Sequence, residues 1–138
     1  MAGILYLVPT PIGNLGDISL RARQTLENAD FIAAEDTRVS LKLLNHLEIK
    51  KPLVSYYEHN KTFKGGRIVE RILAGETCAL VSDAGSPAIS DPGEDLVKEC
   101  AAAGITVCAI PGPCAAITAL SISGQSTGRF CFEGFLSM

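Results

Sequence analysis

Short apolar runs alternate along this chain with longer segments of helical spacing, and that alternation leaves few folds open. The runs fall at residues 3–8 (GILYLV), 31–34 (FIAA), 52–57, 78–81 (CALV) and 105–110, and a sixth strand is expected to begin at 130–132. They are too short for buried helices, and most lack the polar alternation of a strand with one wet face. Between them, Ser19 is placed to cap a helix whose Leu20, Ala22, Leu26 and Ala29 form an apolar stripe. Further helices are predicted over 39–47, over 62–74 with Gly75 as its stop, over 94–103 closed by Gly104, and over 114–122. Strands alternating with helices predict an α/β fold: an open, mostly parallel sheet flanked by helices.

At 138 residues, 47% of them hydrophobic, the chain is sized for one core, so a single α/β domain is expected over residues 1–138. The sequence stops just beyond an apolar run rather than in a polar tail, which suggests the N-terminal half of a two-domain protein. No apolar run approaches the ~20 residues needed to span a bilayer, and no basic region precedes the first strand. A soluble cytoplasmic protein is expected. The five cysteines are odd in number and include no C-x-x-C pair, so neither a disulfide framework nor a zinc site is anticipated.

The formal net charge of −3 argues against a protein that wraps nucleic acid over its whole surface. Between Arg38 and Arg71, however, eight basic residues face three acids, so this stretch is locally basic and the remainder acidic. It can serve as a nucleic-acid contact or as an ordinary solvated helical face.

In an open α/β sheet, ligands sit outside the carboxyl ends of the strands. Three Gly/Pro-rich loops follow strands there, at residues 9–16, 82–93 and 111–113. Each alone reads as a turn; together they suggest one crevice. Prolines delete the N–H donors that a pyrophosphate cradle requires, and neither G-x-G-x-x-G nor G-x-x-x-x-G-K-[ST] occurs, which disfavours dinucleotides and nucleoside triphosphates. A sulfonium cation joined to adenosine is better matched by carbonyls, apolar walls and the carboxylates Asp83 and Asp91. If the reaction is methyl transfer to a hydroxyl, a proton must be removed as the oxygen attacks. Glu35 and Asp36, beside Arg38, are the candidates, although Asp36 suits a helix cap equally well. His46, His59 and Cys114 carry no expected role.

Five stretches together resemble a known family: VPTPIGNLGDIS at 8–19, AEDTR at 34–38, SDAGSPAISDPG at 82–93, IPGPCAAITAL at 110–120 and FEGF at 132–135. They are similar to the ribosomal small-subunit RNA cytidine 2'-O-methyltransferases, a branch of the tetrapyrrole methylase superfamily. The resemblance implies a two-domain protein, usually a homodimer, with S-adenosylmethionine held between the domains. It implies that Pro9, Thr10, Pro11, Ile12 and Gly13 line the cofactor site. Asp83, Ala84, Gly85, Ser86 and Pro87 would do so from a second loop, and Pro111, Gly112 and Pro113 with Ala116 from a third. Glu35, Asp36 and Arg38 would lie nearest the RNA, whether free or in the assembled small subunit. It further implies that this portion alone is inactive or nearly so. Two alternatives stand beside it: a tetrapyrrole C-methyltransferase, and a noncatalytic module that binds adenosine-like ligands.

Overall fold

In a computed structural model, which describes residues 1–136, five parallel strands form one sheet in the order β3-β2-β4-β1-β5. The strands are β1 (Ile4–Leu7), β2 (Phe31–Ala34), β3 (Leu53–Ser55), β4 (Cys78–Val81) and β5 (Thr106–Ala109). The helices are α1 (Leu20–Asn28), α2 (Thr37–His46), α3 (Lys61–Leu73), α4 (Gly93–Ala102) and α5 (Ala115–Ile122). The expected open parallel α/β sheet is therefore the one observed, and the expected helix boundaries shift by only a residue or two.

Period-two alternation sorts the central strands between two cores. Ile32, Ala34, Ala79 and Val81 join Ala22 and Leu26 of α1 and Leu44 of α2 on one face. Phe31, Ala33, Cys78 and Leu80 join Ile68 and Ile72 of α3 and Leu96 and Cys100 of α4 on the other. All four residues of both β2 and β4 are buried, which is why their sequences run without polar alternates.

Right-handed crossovers explain the split. From β1 the chain passes over β4 to β2 and then to β3, and the connecting helices α1 and α2 share a face. From β3 it returns to β4 and passes over β1 to β5, and α3 and α4 cover the opposite face. Successive connections thus leave the adjacent strands β1 and β4 in opposite directions, which makes the gap beyond their carboxyl ends the switch point of the sheet.

Local signals set the helix ends. Ser19 Oγ accepts a bond from Ala22 N at 3.0 Å, capping α1 as expected. Asp36 caps α2 by accepting from Arg38 N at 2.9 Å.

The expected sixth strand does not form: residues 130–136 adopt no helix or strand, and Phe130, Phe132 and Phe135 are exposed. A strand requires a paired neighbour, and this three-residue apolar run, placed between Gly128 and Gly134, docks on no free edge of the sheet. Helix α5 likewise buries no residue.

Candidate functional site

The loops that leave β1 and β4 are joined by backbone. Thr10 N donates to Gly85 O at 3.1 Å and Gly85 N to Thr10 O at 3.0 Å, an isolated antiparallel bridge across the switch point. The third loop closes on them. Ser86 Oγ donates to Pro113 O at 3.0 Å, and Gly112 lies so near Pro9 that an added Cβ would fall 2.6 Å from its Cγ. Gly85 has φ +79° and sits against Ile12 and Pro113, so neither its conformation nor its surroundings suit a side chain. A fourth segment arrives from β2, where Asp36 N donates to Asp83 Oδ1 at 3.2 Å. Four loops distant in sequence therefore share one rim.

Two cavities open there and share Ser82 and Asp83 in their walls. One, of about 340 Å³, lies between the β1 loop and α2; Thr10, Pro11, Gly13, Val39, Ser40 and Lys42 are among its lining. The other, of about 410 Å³, is lined by Glu35, Ala84, Ser86, Asp91 and Phe135, among others. Pro9 and Pro87 are buried and stiffen the loops from behind, whereas Pro111 and Gly112 stand exposed at the edge. Arg38 projects into solvent, paired with Asp36 at 3.2 Å. Ala116 is exposed on α5 and lines neither cavity.

A family model for tetrapyrrole (corrin/porphyrin) methylases matches residues 4–133. The chain belongs to that family. It is 56% identical over 136 residues to "Ribosomal RNA small subunit methyltransferase I" of Haemophilus influenzae, covering 99% of this chain and 48% of the relative. The protein of the same name from Escherichia coli O157:H7 is 53% identical over 134 residues, covering 97% and 47%. The chain thus spans about half the length of the curated relatives it matches. Among solved structures, it is similar to uroporphyrin-III-C-methyltransferase from Thermus thermophilus, at 25% identity and TM-score 0.67, covering 94% of this chain and 56% of that one. A conserved hypothetical protein of Aeropyrum pernix K1 superposes at TM-score 0.75 with 24% identity, covering 95% and 46%.

In this methylase domain the rim is strongly acidic. The Glu35 carboxyl is raised above its usual value, first by loss of water around it and then by the charges of Asp83, Asp91 and Asp36. Asp36 shifts the opposite way, because the Arg38 side chain and backbone hydrogen-bond to its ionised form. Asp91 is committed to the loop: its two oxygens accept from Ala88 N at 3.1 Å and Gly93 N at 2.8 Å. Those bonds hold a segment in which Ala88 and Ser90 adopt positive φ, 69° and 51°, strain that surrounding structure has to sustain.

Sequence reasoning missed the α2 side of the cavity between the β1 loop and α2. Ser40 is a buried polar residue in its wall, but six of the ten residues of α2 are polar, so nothing in the sequence set Ser40 apart. Lys42 and Leu43 gave no signal either. Among the described residues no helix is long and apolar enough to cross a membrane.

Proposed function

We propose that this chain is the N-terminal half of a two-domain, S-adenosylmethionine-dependent methyltransferase that modifies a cytidine ribose 2'-hydroxyl in small-subunit ribosomal RNA. The observation that carries the reading is the meeting of the loops after β1, β2, β4 and β5 at the switch point, tied by the Thr10–Gly85 bridge. Relatives at 53–58% identity bear a ribosomal RNA name, against 25% for the uroporphyrin enzyme, which favours RNA over a tetrapyrrole acceptor.

The residues at the rim suit the cofactor. Gly13 has φ +75° and open space where a Cβ would stand, in a loop that forms a cavity wall, so a ligand can approach its backbone closely. The loops after β1, β4 and β5 would hold S-adenosylmethionine through backbone carbonyls and apolar walls, with the Asp83 carboxylate complementing its positive charge. Bound there, it supplies an electrophilic sulfonium methyl. Glu35 is the general base: its carboxyl stands at the rim beside Asp83 and is raised above its ordinary value, so it holds a proton better than an ordinary carboxylate. Asp36, occupied as cap and as partner of Arg38, positions the loop, and Arg38 offers its exposed guanidinium to an RNA phosphate.

Phe130, Phe132, Phe135, Ile117 and Ile122 are exposed; they form the apolar surface against which a second domain or a second subunit of a homodimer would seat. The remaining contacts with cofactor and RNA would come from that second domain, in a cytoplasmic enzyme. A methyl-transfer assay on small ribosomal subunits, with the 138-residue chain beside a two-domain chain, tests the reading. Transfer to a cytidine ribose is expected from the longer chain, with little or none from the shorter. Transfer to a tetrapyrrole instead, or cofactor binding without turnover in the longer chain, would overturn it.

A further inference from the structure

Along α3 the basic side chains divide into two sets. Lys61 is engaged by Glu58 and Asp95, and Arg71 by Glu76 and the face of Phe31. Lys64 and Arg67 have no carboxylate partner among the described residues. Beside them Phe63, in the first turn of α3, is 65% exposed, and the Arg67 guanidinium lies 5.0 Å from its ring centroid.

The turn before α3 also exposes aromatic rings. Tyr57 is 39% exposed, with the His59 ring edge-on at 6.2 Å. Asn60 fixes this turn, accepting from Tyr57 N at 2.7 Å and donating to Ser55 O and Oγ, each at 3.2 Å. The corner is held rigid while its rings face water, so a ligand that covers them incurs little ordering cost.

Its place in the fold is informative. Tyr56 N donates to Ala34 O at 2.8 Å, so the turn that carries Tyr57 leaves β3 at the same carboxyl end of the sheet where Glu35 leaves the neighbouring strand β2. The corner therefore continues the rim of the candidate site outward, across its basic flank.

We infer that Tyr57, His59, Phe63 and Arg67 form a stacking shelf for unpaired bases of an RNA substrate, with Lys64 and Arg67 meeting its phosphates. Rings interleaved with unpaired cations match a single strand, whose bases offer π-faces and whose backbone offers negative charge. An apolar protein partner would leave both cations without countercharge. The inference rests on the RNA reading above and adds where the strand runs beyond the reacting nucleotide.

The test is fluorescence anisotropy of a labelled single-stranded oligoribonucleotide, titrated with the 138-residue chain at low and moderate salt, beside a duplex of the same sequence. Phe63→Ala and Tyr57→Ala should each weaken single-strand binding by roughly tenfold, and Phe63→Trp should retain it. Arg67→Ala should weaken binding and flatten its salt dependence. The duplex should bind less tightly and be indifferent to the aromatic substitutions. Circular dichroism confirms that each variant is folded; both rings are exposed, so no core is disturbed. A parent chain that binds the strand while Phe63→Ala and Tyr57→Ala bind it equally well overturns the shelf and leaves the RNA reading intact. A parent chain that ignores RNA also overturns the shelf, whereas the acceptor reading falls only with the methyl-transfer assay of the two-domain protein.

Discussion

The centre of the sheet and its β5 edge are built from equally apolar sequence, yet they meet water differently. In β2 and β4 every residue is buried, because helices lie on both faces. In β5 Thr106 and Ala109 are exposed, and α5, composed of Ala, Ile, Leu, Thr and Ser, buries nothing. Equally apolar sequence therefore does not fix burial; connection topology decides which faces the chain's own helices cover. The central half carries the stability of the domain, and the edge leaves apolar residues exposed.

The largest test of this contrast is Phe31→Ala. Phe31 is fully buried in β2 beneath the Arg71 guanidinium, and removing its ring should cost about 3–5 kcal/mol in urea unfolding. A loss under about 1 kcal/mol would mean that the centre is not the keystone described here. Next comes Gly112→Ala, which forces a methyl against Pro9. It should cost about 1–3 kcal/mol and weaken S-adenosylmethionine binding to the two-domain protein by calorimetry, because the β1 and β5 loops must part. Unchanged stability and affinity would show that the two loops move independently.

The third prediction concerns the carboxyl ends of the central strands. As the proposed base, Glu35 must be ionised to accept a proton, and its raised value should shift the acidic limb of the rate profile upward in pH. Asp83→Asn removes one of the raising charges while keeping an oxygen for Asp36 N, so the limb should move to lower pH. An unshifted limb in the two-domain enzyme would remove Glu35 from the role of base. The smallest effect belongs to the edge: Ile122, 84% exposed, can become Ser with a change within about 0.5 kcal/mol in this chain. The same substitution should cost several times more in the two-domain protein, which differential scanning calorimetry would register.

Much of the fold was legible because its signals are local. Four-residue apolar runs such as FIAA and CALV have no other economical use, and Ser19 announces a helix start within three residues. The sixth strand misled because 130–132 carries the same local signal, while a strand also needs a neighbour, and pairing is non-local. At the site, sequence reasoning named the loops that meet, since glycine and proline mark where backbone turns closely. It left Asp36 open between cap and base, and the bond to Arg38 N fills the first role. The α2 wall of the first cavity stayed hidden because Lys42 and Leu43 acquire meaning only once the β1 loop folds across them. Ala116 shows the converse: its motif is intact, but its helix lies clear of both cavities.

The paired amides of Thr10 and Gly85 give the crevice a property beyond shape. Their protons can exchange with solvent only when two loops, 75 positions apart in sequence, separate together. Occupancy of either cavity that favours the closed pair would slow that exchange, so two backbone positions report on a ligand whether or not it touches them.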